Sequence, residues 1–98
     1  MENRFTKSIT TNGQRLSFHF LKVFSNTGYR YMVTVVNNEQ PYAFYLWQRD
    51  VNWNLIDYSL LPSWIQIMEE DFNQAIVEME QKLEELPEAH FGVYAMVS

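Results

Sequence analysis

There is no cysteine in these 98 residues. That absence removes disulfides, thiolate metal sites and thiol nucleophiles together, and it leaves the redox compartment open. Glycine is scarce as well. Gly13, Gly28 and Gly92 stand far apart, so there is neither a phosphate-cradling loop nor a dinucleotide fingerprint. Histidine is limited to His19 and His90, and without an H-x-H or H-x-x-x-H spacing a metal site has no signature. No serine sits in a G-x-S-x-G elbow. Glu69-Glu70-Asp71 and Glu84-Glu85 are neighbours in a helical pattern, so their carboxylates point apart and do not converge as an acid/base pair. No apolar run is long enough to span a bilayer, and Met1 to Lys7 holds no signal-peptide core. These absences lead us to expect a cytoplasmic, non-enzymatic protein with no cofactor, no metal and no membrane partner.

What remains is rich in apolar and aromatic side chains, at 47% and 16% of the chain. That is enough to exclude disorder and to build one modest core, so residues 1–98 read as a single domain. The net charge of −5 is unevenly placed. Residues 1–50 carry six basic side chains against three acidic ones, and residues 51–98 carry one against nine. Such asymmetry fits a nucleic-acid face, and it equally fits glutamates on the wet side of a helix.

The rest of the chain is organised around the helix that opens at Leu61-Pro62-Ser63-Trp64-Ile65-Gln66. Ser63 is a good N-cap, and Gln66 three residues on completes a capping box. Ile65, Met68, Phe72, Ala75, Ile76, Met79, Leu83 and Leu86 recur at the spacing of one helical face. Pro87 ends the pattern, which predicts a helix over 62–86. Asp71-Phe72-Asn73-Gln74 is a second capping box, so a break near Glu70 is the alternative.

Everything earlier alternates like strands. Arg4 to Thr11 and Gln14 to Phe24 flank Asn12-Gly13, a strong type I′ hairpin signal. Tyr29 to Val36, Tyr42 to Arg49 and Asn52 to Asp57 follow after short turns, which implies an antiparallel meander over residues 1–57. His90 to Val97 reads as an extended segment and a possible final strand. The expected class is α+β: about five antiparallel strands covered on one face by a single long C-terminal helix.

One face then carries too many apolar residues. With Phe18, Phe20, Val33, Val35, Phe44 and Leu46 under the helix, Leu21, Val23, Met32, Val36, Tyr45 and Trp47 point the other way. A patch of that size on a monomer has a use. Three covers are open: the segment from His90, a second copy, or nucleic-acid bases stacked on Tyr29, Tyr31, Tyr45, Trp47 or Trp53. The candidate interaction face is Tyr31, Met32, Tyr45 and Trp47 with Lys22 and Arg30 as cations.

A meander followed by one helix resembles the single-stranded-DNA-binding folds of the PC4, Whirly and PUR type. Trp53-Asn54-Leu55-Ile56 leading to Leu61-Pro62-Ser63-Trp64-Ile65 also looks like small bacterial proteins that place a meander before an LP-x-W-I helix start. The first resemblance implies pairing of subunits and binding of single strands on an aromatic, basic sheet surface. The expected function is a small interaction domain that self-associates as a homodimer through its aromatic sheet face. The alternative is binding of single-stranded nucleic acid on the same face.

Overall fold

The structure is a computed structural model and describes residues 3–26 and 28–85, with side chains through Lys82. Strands β1 (Arg4–Thr11), β2 (Gln14–Ser25), β3 (Gly28–Asn37), β4 (Gln40–Arg49) and β5 (Asn52–Leu55) form one antiparallel sheet in the order β1-β2-β3-β4-β5. A 3₁₀ turn at Tyr58–Leu60 leads to α1 (Ser63–Gln66) and α2 (Glu69–Glu85). The α+β class and the meander agree with the sequence pattern. The expected strand at His90–Val97 lies outside the described residues.

The hairpins explain the register. Asn12 and Gly13 take φ of 53° and 75°, the left-handed pair that a type I′ turn needs and that matches strand twist. Asn38 and Glu39 do the same between β3 and β4 at 54° and 65°, so that turn is two residues and β4 begins at Gln40 rather than Tyr42. Pro41 fits inside β4 because of its parity. Ile56 N–H donates to Tyr45 O at 2.9 Å, which makes the odd-numbered residues of β4 point their backbone groups toward β5. The four residues of β5 pair only with Leu46–Arg49, so the missing N–H of Pro41 faces no strand.

The helical segment is broken at Ile67–Met68, close to the alternative break near Glu70, whereas Asp71 of the second capping box already lies inside the first turn of α2. α1 is a single turn, and Met68 N–H returns to Ile65 O at 3.0 Å before Phe72 N–H bonds Met68 O at 3.0 Å. The expected unbroken helix is therefore two pieces. The expected Ser63 capping box does not form. Pro62 occupies the N-cap position, with no side-chain cap. Gln66 Nε2 instead donates to Leu61 O at 3.1 Å and to Tyr58 O at 2.8 Å, a carbonyl that also accepts the Leu61 N–H at 3.2 Å. Glu69, Glu70 and Asp71 fill the first turn of α2, where negative charge suits the helix dipole.

Core formation follows from the two periods. Phe18, Phe20, Val33, Val35, Phe44 and Leu46 share one pleat face, as the alternation predicts, and meet Ile65, Met68, Phe72, Ala75 and Ile76 in one buried cluster. Phe72 is fully buried. Its ring centroid lies 5.2 Å from those of Phe18 and Phe44 and 6.3 Å from that of Phe20. α2 also reaches the end of the sheet. Asn73 Oδ1 accepts from Trp53 N–H at 2.7 Å, and Glu69 Oε2 accepts from Leu55 N–H at 2.8 Å. These two side chains lie one helical turn apart, so both meet the same strand edge.

Truncating Phe72→Ala should lower the unfolding free energy by about 3–5 kcal/mol, because it leaves a cavity against Phe18 and Phe20 of β2 and Phe44 of β4. Ile67→Ala, at a side chain that is 71% exposed, should change it by less than about 0.5 kcal/mol. Urea unfolding of both variants measures the contrast.

Candidate binding face of the sheet

Side chains alternate across a pleated strand, so register assigns each residue to a face. On the face away from α2, Val23, Arg30, Trp47 and Asn54 lie in one row across β2 to β5. Arg4, Leu21, Met32 and Tyr45 form the next row, from β1 to β4. Thr6, His19, Thr34 and Ala43 form the third. The face therefore grades from aromatic and apolar near the β2–β3 turn to hydroxyl-rich at its middle. Tyr45 and Trp47 are 41% and 42% exposed.

Charge is partitioned by residue type. The chain has four arginines: Arg4, Arg15, Arg30 and Arg49. By register all four belong to this open face. No strand contains an aspartate or glutamate; Glu39, Asp50 and Asp57 sit in turns. The strand lysines take the other side. Lys7 Nζ lies 3.8 Å from Glu78 Oε1, and Lys22 Nζ lies 3.5 Å from Glu80 Oε2. Among the described residues no arginine makes an ion pair with a carboxylate within 4.0 Å.

The open face is also hollowed. Two adjoining depressions of about 400 and about 300 Å³ share His19 and Thr34. One extends over Ser17, Val36 and Ala43 and the other over Arg4, Leu21 and Met32. Short side chains at Ala43 and Thr34 form the floor between the larger residues of neighbouring rows. His19 Nδ1 is hydrogen-bonded to Thr6 Oγ1 at 2.9 Å, which fixes the ring over this hollow.

Of the six residues proposed from sequence, Arg30, Met32, Tyr45 and Trp47 come together on the open face, in two adjacent rows. Tyr31 and Lys22 do not join them. Both have the opposite parity and face α2. Tyr31 is 3% exposed, and its hydroxyl donates to Glu80 Oε2 at 3.1 Å. Lys22 Nζ meets the same oxygen and lies 3.9 Å over the Tyr29 ring. Trp53, a candidate base platform in the sequence, is 1% exposed and packs edge-on against Tyr31 at 5.0 Å. Sequence reasoning passed over Arg4, Arg15 and Arg49. Counting parity outward from the Asn12-Gly13 turn, with Phe18 and Phe20 taken as core, would have found Arg4 and Arg15.

Among the described residues, no group of three His, Cys, Asp or Glu side chains converges on a metal position, and no helix is long and apolar enough to cross a membrane. Comparison with family models, with curated proteins and with solved structures finds no match to this chain.

The Tyr31 phenol is pushed far above its ordinary value of 10.0, first by burial and then by the charge and hydrogen bond of Glu80, with a smaller contribution from Tyr29. A raised folded-state value means the fold favours the neutral phenol. Stability is then complete below the ordinary phenol range and falls as pH rises through and beyond it. We expect unfolding free energy to decline above pH 10 in the native chain and the decline to flatten in Tyr31→Phe. Urea titrations at pH 8 to 11.5 measure it.

Proposed function

We propose that this chain is a small, non-enzymatic domain that binds single-stranded nucleic acid on its open sheet face. The observation that carries this reading is the segregation of all four arginines onto a face with exposed Tyr45 and Trp47 and no acidic strand residue. Arginine suits phosphates because its planar guanidinium donates bidentately. Tyr45 and Trp47 offer ring faces on which any base can stack, at about 1–3 kcal/mol per base. Arg30 shares the Trp47 row, Arg4 shares the Tyr45 row and Arg49 lies two residues beyond Trp47 on β4, so three of the arginines stand beside the aromatic rows, while Arg15 lies opposite Thr10 at the far end of the face. The chain's overall negative charge does not oppose this, because its carboxylates concentrate on the helical half and two of them neutralise the sheet lysines.

Self-association through the same face is the second reading. The half-buried Leu21, Val23 and Met32 beside exposed Val36 favour it, since a monomer rarely leaves such a cluster bare. Against it, stacking two copies would bring eight guanidinium groups toward one interface with no carboxylate in the strands to meet them, and like charges juxtaposed in an interface are costly.

A titration of labelled oligothymidylate and oligouridylate at several salt concentrations tests the first reading. Affinity should fall with salt at a logarithmic slope of roughly −0.7 per phosphate contacted. Arg30→Ala should reduce that slope by about one contact, and Trp47→Ala should weaken binding by about 1–3 kcal/mol with the slope unchanged. No binding even at low salt retires the reading. For the second, Trp47→Glu should halve the solution mass of a face-paired dimer; a mass unchanged by that substitution, with the fold intact, removes it.

A further inference from the structure

The two edges of the sheet are treated differently. On β5, the Tyr45–Ile56 bond sets the parity so that Trp53 and Leu55 turn their N–H groups outward, and α2 meets both with Asn73 Oδ1 and Glu69 Oε2. The helix thus stands where a sixth strand would stand, and that edge cannot be extended without displacing it.

β1 has no such cover among the described residues. Lys22 N–H donates to Asn3 O at 2.7 Å. In an antiparallel ladder this makes Asn3 and Lys22 a hydrogen-bonded pair, so Phe5, Lys7, Ile9 and Thr11 bond to β2 in turn. Arg4, Thr6, Ser8 and Thr10 then direct their backbone N–H and C=O groups away from the sheet. The result is an eight-residue edge with alternate backbone groups presented for another strand.

We propose that β1 pairs antiparallel with β1 of a second copy, giving a closed two-fold dimer in which two five-stranded sheets become one. Three observations select this occupant. First, the outward groups are self-complementary when the two-fold axis passes Lys7. Thr6 then lies opposite the partner's Ser8, and Arg4 lies opposite the partner's Thr10. In this register Phe5 meets the partner's Ile9 on the helix side. Both side chains are only half-buried in one copy, and cross-strand apolar pairs of this kind stabilise a sheet. Second, the one like-charge contact, Lys7 opposite the partner's Lys7, is compensated, because each ammonium already lies 3.8 Å from Glu78 of its own helix. Third, blocking of the β5 edge makes the pairing end at two copies, since an isologous contact with no second free edge closes and does not polymerise. The open faces of the two copies continue into each other without opposing their arginines, which face-to-face stacking cannot avoid.

This pairing stands apart from nucleic-acid binding, and the two have separate readouts: mass here, salt-dependent affinity there. The test is sedimentation of the full chain over a range of micromolar concentrations. We expect a species of twice the 11.8 kDa chain mass. Ser8→Pro should halve it. The Ser8 N–H faces outward, so proline there removes no bond within the chain, and circular dichroism should be unchanged. A variant-free check is amide exchange of the native protein. The Arg4, Thr6, Ser8 and Thr10 amides should slow as concentration rises through the dimerisation range, while Trp53 and Leu55 should stay protected throughout. The proposal is overturned by a full-length monomer at all concentrations, including one whose own residues 86–98 take the edge. It is equally overturned by a dimer that survives folded Ser8→Pro with fast β1 amides, or by one that Trp47→Glu dissociates instead.

Discussion

Phe72 decides which side of this sheet is the inside. Its ring touches Phe18, Phe20 and Phe44 at once, so β2 and β4 are tied to one turn of α2. Because a strand alternates its side chains with period two, choosing the inside for these phenylalanines assigns every other strand residue as well. A slip of one position would bury the arginines and expose the aromatic core, so burial and charge enforce the same register.

The helix does more than fill that core. Glu69 and Asn73 take the backbone N–H groups of β5, Glu78 and Glu80 take the sheet lysines, and Glu80 also receives the Tyr31 hydroxyl. One amphipathic element therefore supplies apolar packing, protection of a strand edge and charge neutralisation along its length. Its acidic composition, which could be read as ordinary helix solvation, is in part a set of specific acceptors for the sheet.

The division between lysine and arginine follows from what each can do. A lysine at the sheet margin can run its flexible stem along apolar surface and set its ammonium on a helix carboxylate, as Lys22 does over the Tyr29 ring. Arginine is always charged and presents a rigid fork of donors. Leaving all four guanidinium groups on a face without strand carboxylates keeps them available to an anion. With the hollow over Thr34 and Ala43 and the rings of Tyr45 and Trp47, that face combines depth, charge and stacking surface. On the opposite face α2 takes Lys7 and Lys22 and covers Tyr31 and Trp53, leaving Phe24 and Tyr29 exposed beside the β2–β3 turn.

The local elements were legible in the chain because their causes are local. Asn12-Gly13 demands a hairpin by its backbone preferences, and Phe18 and Phe20 alternate with His19 in a pattern only a strand explains. The three-four spacing from Ile65 to Ile76 belongs to a helix, and the split of Leu21, Met32, Tyr45 and Trp47 from the core followed from parity alone. The termini of the helix were less legible. A capping box depends on whether nearby carbonyls compete for the same side chain, and Gln66 chose Tyr58 and Leu61. What only the tertiary structure decided is where charges and edges end up. Tyr31 and Lys22 look like binding residues in sequence, being an aromatic and a cation beside Met32 and Arg30, yet they face Glu80 because the helix lies on their side of the pleat. The closure of β5 by Asn73 and Glu69, and the openness of β1, likewise arise from one helix lying across one end of the sheet. No spacing along the chain encodes that placement, because it joins residues far apart in sequence through packing.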